Sequence, residues 1–200
     1  MKSLPRAHCT ELTKLYVLGM IINAYFFSVL IFTNPVNTIC YGLKYGDHPQ
    51  LGGAMGLHVL GPFLVDHFKR NHWTRSSIIL VPMPISKRRR FQRGYNQCHS
   101  IAEGCKKSIT SAGIQCVVRP LLRKVKHRRS QIHFSAMDRW TNTSNSLRVR
   151  KKKQRIPADA LLVVIDDTVT TGSSLFHAGE TLREHYPENV LVLSSLAVEI

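Results

Sequence analysis

Acidic residues are scarce in this chain. Asp and Glu number 12 against 28 Lys and Arg, which gives a formal net charge of +16. The basic residues concentrate in three runs, at positions 87–93, 119–129 and 148–155. A field of this sign attracts polyanions, from small phosphates to a nucleic-acid backbone, and the attraction weakens with salt. The runs lack the regular aromatic interleaving of a stacking platform, so they favour phosphate contact over base recognition, with simple solubility as the alternative.

Cysteines are also few, and no two of them form a Cys-x-x-Cys pair. An odd number of scattered cysteines argues against a disulfide framework, which forms mainly in secreted proteins. The sequence therefore predicts reduced thiols and a cytoplasmic protein. The five positions are Cys9, Cys40, Cys98, Cys105 and Cys116.

Several common catalytic and nucleotide-binding motifs are missing. The chain has no Gly-x-x-x-x-Gly-Lys loop, no three-glycine dinucleotide fingerprint and no Gly-x-Ser-x-Gly elbow. These absences argue against P-loop nucleotide hydrolases, Rossmann dehydrogenases and serine hydrolases of the α/β type. With 200 residues, 44% of them hydrophobic, the chain is sufficient for one α/β domain with a substantial core.

One stretch near the C-terminus has the order of a complete binding site. The apolar residues 161–165 predict a buried strand, and they lead into Asp166 and Asp167, a hydroxyl-rich glycine turn and a helix from Ser173 to about Tyr186. Ligands of parallel sheets bind at the carboxyl ends of strands, and helix N-termini favour anions. The stretch therefore predicts a sugar-phosphate site. An acid pair that only caps a helix is the alternative, which the rest of the pattern disfavours.

A second stretch joins an apolar strand to a basic run. Residues 78–81 are apolar, Pro82 and Pro84 end the run, and Lys87 to Arg93 are mostly basic. Arg-Gly-Tyr-Asn-Gln then follows at 93–97. Upstream, residues 39–46 contain Leu-Lys-Tyr-Gly, which predicts a turn at Lys44.

At residues 163–175 the sequence resembles the type I phosphoribosyltransferases, whose signature is an apolar strand, two acids and a Thr-Gly turn. The second stretch, the Leu-Lys-Tyr segment, Ser130-Gln131 and residues 137–142 are similar to the ComF-type branch of that superfamily. This branch consists of phosphoribosyltransferase-like proteins associated with natural DNA uptake. The resemblance covers residues 12–197.

The resemblance implies roles for individual residues. Asp166 and Asp167 are expected to hold the ribose hydroxyls of phosphoribosyl pyrophosphate, and Lys44 is expected to contact its pyrophosphate. Mg²⁺ is expected to bind through the substrate, with Asp166 and Asp167 as the nearest candidate protein ligands. The further substrate-binding residues are expected to be Thr168, Thr170, Thr171, Gly172, Ser173, Ser174, Tyr45 and Arg93. A lid is expected from Arg128, Arg129, Gln131 and Arg139.

The chain departs from the family pattern in three places. Members often begin with a cysteine-rich, zinc-finger-like segment, whereas here His8 and Cys9 alone cannot supply the four ligands of a zinc site. Thr170 stands where purine-salvage members carry an acid, so a purine-salvage reaction is disfavoured. Asp138 stands in place of a glutamate, which weakens any role for that loop.

The expected fold is α/β, with a mostly parallel sheet flanked by helices. Residues 1–45 are predicted to form a small β-rich extension, and 46–200 the phosphoribosyltransferase-like domain. A helix is expected over about 50–70, with a bend at Gly61-Pro62, and another over about 96–109. The uncharged run 15–32 is near the lower length limit for a membrane span, but buried strands explain it equally well.

The sequence thus predicts a protein that binds phosphoribosyl pyrophosphate or a related phosphosugar with Mg²⁺ and transfers the phosphoribosyl group to an acceptor it does not identify. The alternative is a non-catalytic protein of the same fold whose basic surface binds DNA or a DNA-uptake protein. Oligomeric state cannot be inferred from the sequence, and a membrane partner is not expected.

Overall fold

The computed structural model describes residues 15–17, 20–22, 25–31, 34–46, 48–75, 77–125, 146–150 and 155–198. Strands and helices alternate through most of these ranges. In chain order the elements are β1 Leu15–Val17, β2 Met20–Ile22, β3 Tyr25–Ile31, α1 Asn34–Tyr45, α2 Pro49–Met55, a π-helical turn Gly56–Leu60, α3 Gly61–Arg70, a short 3-10 turn Trp73–Arg75, β4 Ile78–Pro82, α4 Lys87–Arg93, α5 Gln97–Ser111, β5 Cys116–Val118, β6 Leu122–Lys124, β7 Leu147–Val149, β8 Leu161–Val169, α6 Ser173–Arg183 and β9 Leu191–Val198.

The central sheet has the strand order β3-β9-β8-β4-β5, and every neighbouring pair runs parallel. Its strands are apolar on both faces because helices cover both faces. In β8, Leu162 and Val164 pack in the core that includes α6, whereas Leu161, Val163 and Ile165 pack on the opposite face, in the core that includes α3 and α5. The predicted parallel sheet flanked by helices is confirmed.

The long helix predicted over about 50–70 is present, but a wide π-helical turn interrupts it directly before Gly61. This helix packs against α5 through glycines. A Cβ on Gly104 would lie 2.1 Å from the Gly53 carbonyl oxygen, and one on Gly56 would lie 2.0 Å from the Ile101 carbonyl oxygen. The two backbones therefore approach each other at a distance that only glycine permits, and this fixes the position of α5 relative to the sheet.

The N-terminal part is only partly the β-rich extension that was predicted. β1 and β2 form a separate antiparallel pair, but β3 pairs with β9 inside the central sheet. Residues 34–45 form a helix, so the predicted turn at Lys44 is wrong: Lys44 lies in the last turn of α1. The division into domains after residue 45 remains a prediction. Within the described ranges, no helix has the length and apolarity that a membrane crossing requires.

Candidate functional site

The acid pair lies where β8 extends beyond the end of the neighbouring strand β4. β8 continues to Val169 instead of ending at the predicted Ile165, while the pairing with β4 stops at Pro82 opposite Ile165. Asp166 remains paired with Ser195 of β9 on the other side. The two carboxylates therefore stand at the carboxyl edge of the sheet, beyond the end of β4, where parallel sheets place their ligands.

The first turn of α5 packs against both acids. Gln97 donates a hydrogen bond from Nε2 to Asp167 Oδ2 at 3.1 Å, and the Cys98 thiol donates to Asp166 Oδ1 at 3.5 Å. Asn96 caps this helix by accepting from the Cys98 amide, and its own amide donates to the Met83 carbonyl. The cap thus ties the start of α5 to the end of β4, which holds Gln97 and Cys98 over the pair.

Burial dominates the electrostatics of the pair. Both acids are buried, at 9% and 7% exposure for Asp166 and Asp167. Burial, followed by repulsion from Asp167, raises the pKa of Asp166 to about 8. Burial likewise raises the pKa of Cys98 well above its ordinary value, with the two carboxylates adding to the effect. Near neutral pH the site therefore carries less negative charge than its composition suggests and would gain stability from a cation.

Basic side chains approach the pair from two sides. Lys44 places Nζ 3.4 Å from the Thr168 hydroxyl and 4.0 Å from Asp167 Oδ2. The Tyr95 hydroxyl donates to the Leu43 carbonyl at 2.8 Å, which links the end of α1 to the loop before α5. Lys124 lies on an exposed position, yet crowding by protein atoms and the nearby Arg89 lower its pKa, against a smaller opposite effect of Asp166.

A cavity of about 310 Å³ opens above the pair. Of the predicted site residues, those that line it are Lys44, Tyr45, Arg93, Asp166, Asp167, Thr168, Thr170 and Ser174. Arg89 also lines it and belongs to the basic run that was expected to contact phosphate. Residues that sequence reasoning assigned no role there are Met83, Pro84, Ile85, Gln97, Cys98 and Lys124. A neighbouring cavity of about 620 Å³ shares Lys44, Tyr45, Arg89 and Arg93 with it.

Gln97 and Cys98 could have been found from the sequence. Asn96 is a strong N-cap residue, so the two residues after it are expected to form the first turn of a helix that follows the β4 loop. A helix starting there faces the same sheet edge as the acid pair. The sequence gives no comparable signal for Lys124, which reaches the cavity from β6, a strand that pairs antiparallel with β7 outside the central sheet.

The glycine turn leads directly into α6. Gly172 has a φ of 73°, a left-handed conformation that favours glycine, and it precedes the first helical residue without a side-chain cap. Thr171 is exposed and Ser173 is buried, and neither of them lines the cavity. The residues expected to form a lid, Arg128, Arg129, Gln131 and Arg139, lie outside the described residues.

The exposed surface of α4 and of the end of α1, here called the rim, is basic and aromatic and adjoins the two cavities through Tyr45, Arg89 and Arg93. The predicted basic run forms α4, which has no buried residue and exposes 92% of Phe91. Tyr41 and Tyr45 are also exposed, and their ring centroids are 4.7 Å apart. The Arg93 guanidinium lies 5.3 Å from the centroid of the Tyr45 ring. The rim therefore combines cations with accessible aromatic faces. The contact between Tyr45 of α1 and Arg93 of α4 joins residues that are far apart in the sequence.

Comparison with known proteins gives relatives but no matching family profile. The chain is 29% identical over 124 residues to competence protein F of Haemophilus influenzae, covering 62% of this chain and 52% of that protein. It is 27% identical over 172 residues to the DNA utilization protein YhgH of Salmonella typhimurium, covering 82% of this chain and 68% of that protein. The chain thus spans about half the length of the first relative and about two thirds of the second.

Among solved structures, the chain is similar to an adenine phosphoribosyltransferase, at 20% identity and a TM-score of 0.37 over 68% of both chains. It is also similar to the Saccharomyces cerevisiae enzyme complexed with an imino-altritol bisphosphate and adenine. That likeness has 18% identity and a TM-score of 0.33, over 68% of this chain and 66% of the other. Scores this low carry no argument about activity. The relatives in sequence confirm the resemblance to ComF-type proteins that the motifs indicated.

Proposed function

We propose that the protein is a phosphoribosyltransferase-like enzyme that binds phosphoribosyl pyrophosphate with Mg²⁺ and transfers the phosphoribosyl group to an acceptor. The observation that carries this proposal is the composition of one cavity: a buried acid pair at its base, hydroxyls on one side and basic side chains around it. Each of these groups matches one part of an activated pentose phosphate.

The acid pair suits the ribose. A carboxylate only accepts hydrogen bonds, and a bound cation would favour the ionised form of Asp166. Two vicinal sugar hydroxyls present two matching donors. Gln97 holds Asp167 Oδ2 at 3.1 Å, and the Thr168 amide donates to Asp167 Oδ1 at 2.8 Å, so this carboxylate is fixed before a ligand arrives. A fixed acceptor loses little conformational entropy on binding, and this favours a single orientation of the sugar.

The charged ends of the donor have matching partners. Thr170 and Ser174 line the cavity beside the start of α6, where unpaired amides and the helix dipole favour a phosphate. Lys44, Arg89 and Lys124 line the same cavity and supply positive charge for the pyrophosphate. Loss of pyrophosphate from the anomeric carbon leaves positive charge on the ribose, and these cations stabilise the departing anion.

The residues present fit Mg²⁺. The ion prefers oxygen ligands and commonly binds through substrate phosphates and one or two carboxylates. Asp166 and Asp167 supply such oxygens in a buried position, and a cation there would offset the burial and the repulsion that raise the pKa of Asp166. These two residues would hold the ion together with the donor, and the ion would stabilise charge developing on the pyrophosphate.

The test is to incubate the purified protein with labelled phosphoribosyl pyrophosphate, Mg²⁺ and a panel of bases and amines. We expect pyrophosphate release that depends on the acceptor and is lost in the double variant Asp166→Asn, Asp167→Asn. Asp159→Asn, which removes an exposed carboxyl before β8, is the matched control and should retain activity. Release that persists in the double variant would contradict the assignment of the pair.

A second candidate function is binding of single-stranded DNA without catalysis. The basic and aromatic rim favours this function, because cations bind the phosphates of the backbone and exposed rings stack on bases. The names of the relatives, competence protein F and DNA utilization protein, fit the same idea. In this case Phe91→Ala and Arg93→Ala should weaken DNA binding in a salt-dependent assay, whereas the double variant of the acid pair should leave it unchanged.

A further inference from the structure

A thiol and an amide oxygen lie beside the acid pair without a part in the proposed sugar chemistry. The Cys98 sulfur and one oxygen from each of Asp166 and Asp167 all lie within 4.8 Å of one another. All three side chains are largely buried, with Cys98 only 2% exposed. This arrangement is a sulfur-containing donor set, which differs from the all-oxygen set that Mg²⁺ prefers.

Gln97 gives an independent indication of a missing ligand. Its side chain is 4% exposed, and its Nε2 is anchored on Asp167 Oδ2. The Oε1 atom of the same amide is buried without a hydrogen-bond partner among the described residues. Buried amide oxygens almost always have a partner, so an orphan oxygen held against the acid pair indicates that a cation or a donor group occupies this position in the bound state.

The charges around the cluster point to a cation as that ligand. The Lys44 ammonium nitrogen, Nζ, is 4.0 Å from Asp167 Oδ2, at the outer limit of an ion pair. Asp166 accepts only weak or local hydrogen bonds, from the Cys98 thiol and from the Asp167 amide. Lys124 also interacts with Asp166, but neither ammonium group donates a short hydrogen bond to the pair among the described residues. A divalent ion bound directly between the two carboxylates would stabilise them more strongly than these peripheral cations do.

We propose that Cys98, Asp166 and Asp167 form a binding site for a borderline divalent cation such as Zn²⁺ or Co²⁺, with the Gln97 amide oxygen available as a fourth ligand. Zn²⁺ binds thiolate sulfur at about 2.3 Å and carboxylate oxygen at about 2.0–2.2 Å, so in a tetrahedral site a sulfur and an oxygen ligand lie about 3.6 Å apart. The Cys98 sulfur is already 3.5 Å from Asp166 Oδ1. Since all three ligand atoms lie within 4.8 Å of one another, the remaining pairs need to close by at most about 1 Å, within the reach of a side-chain rotation. Binding releases the thiol proton to solvent, because the thiolate is the metal ligand.

Such a site has a consequence for the cavity. A cation on Asp166 and Asp167 engages the carboxylates that are proposed to hold the ribose, so Zn²⁺ and the sugar-phosphate donor compete. The metal site goes beyond the proposed function and does not depend on it. It is tested without any donor, so failure of either idea leaves the other standing.

The experiment is a titration of the purified protein with Co²⁺ alone, followed by near-ultraviolet absorption. A sulfur ligand gives an intense thiolate-to-cobalt charge-transfer band, whereas carboxylates give none. We expect a saturable band that Zn²⁺ abolishes and an equal concentration of Mg²⁺ leaves intact. The band should be absent in Cys98→Ala.

Matched variants separate this site from other thiols. Cys105→Ala removes another fully buried thiol from the same helix, and Cys40→Ala removes the buried thiol of α1 that lies near Thr168. Both variants should keep the band. If Cys98→Ala fails to fold by circular dichroism, the double variant Asp166→Asn, Asp167→Asn decides, since it keeps the thiol and should bind Co²⁺ at least about tenfold more weakly. A folded wild-type protein without the band, or a band that survives Cys98→Ala, overturns the proposal.

Discussion

Replacing Asp166 with asparagine should remove a loss of stability that the wild-type protein undergoes as the pH rises. The carboxyl is buried, and its pKa in the fold is raised to about 8 by burial and by Asp167. An unfolded chain ionises the same group near its ordinary value of about 3.9. Between these two values the folded state holds a proton that the unfolded state has lost, so this group lowers stability as pH rises.

The size of the effect follows from the same shift. The stability from the protonated carboxyl is fully present below about pH 4 and is lost progressively until the folded-state pKa is passed. For one proton the loss is at most about 1.4 kcal/mol per pH unit. From about pH 5 to about pH 7, the wild type should therefore lose up to about 3 kcal/mol that Asp166→Asn does not lose.

Urea unfolding at constant ionic strength measures this difference directly. The titrating groups outside the site, including the ten histidines, are common to both proteins and cancel in the comparison. Asp159→Asn serves as the control, because it removes an exposed carboxyl and should follow the wild-type pH profile. Parallel profiles for the wild type and Asp166→Asn would refute the argument that burial keeps this carboxyl protonated.

Three further substitutions test the packing and the site. Gly104→Ala should destabilise the protein by roughly 1–3 kcal/mol or more in urea unfolding, because the new Cβ would lie 2.1 Å from the Gly53 carbonyl oxygen. Gly53→Ala is the control: its Cβ would have no atom within 4 Å, so it should be neutral or stabilising. Equal effects at the two glycines would contradict the close helix contact. Gly172→Ala should cost about 1–2 kcal/mol, measured in the same way, since its φ of 73° disfavours any side chain. Lys44→Met should weaken binding of phosphoribosyl pyrophosphate at least about tenfold by calorimetry, while Lys69→Met, at an exposed position of α3, should not; equal affinities would remove Lys44 from the site.

The sheet and the position of the acid pair could be predicted from the sequence because their signals are local. An uninterrupted apolar run predicts a buried parallel strand, and the residues that follow it must lie at the sheet edge. The length of β8 was underestimated, since polar residues such as Asp166 and Thr168 suggest the end of a strand. Their pairing with β9 depends on a neighbour that is remote in sequence.

The immediate surroundings of the pair could be predicted only in part. Lys44 was expected to contact the ligand from a turn, and it reaches the cavity from a helix instead. The Cys98 contact with Asp166 depends on how closely α5 approaches β8, and that approach is set by glycine contacts with α2 that no local pattern reveals. Burial, which raises the pKa of Asp166, is likewise a property of the packed structure and not of the Asp-Asp sequence.

The central claim is that the acid pair binds an activated pentose phosphate together with Mg²⁺. Isothermal titration calorimetry tests this claim most directly. Phosphoribosyl pyrophosphate should bind the wild type in the presence of Mg²⁺ at low ionic strength, and binding should weaken at least about tenfold without the metal or in the double variant Asp166→Asn, Asp167→Asn. The absence of magnesium-assisted binding by folded wild-type protein, or equal affinity in the double variant, would contradict the account.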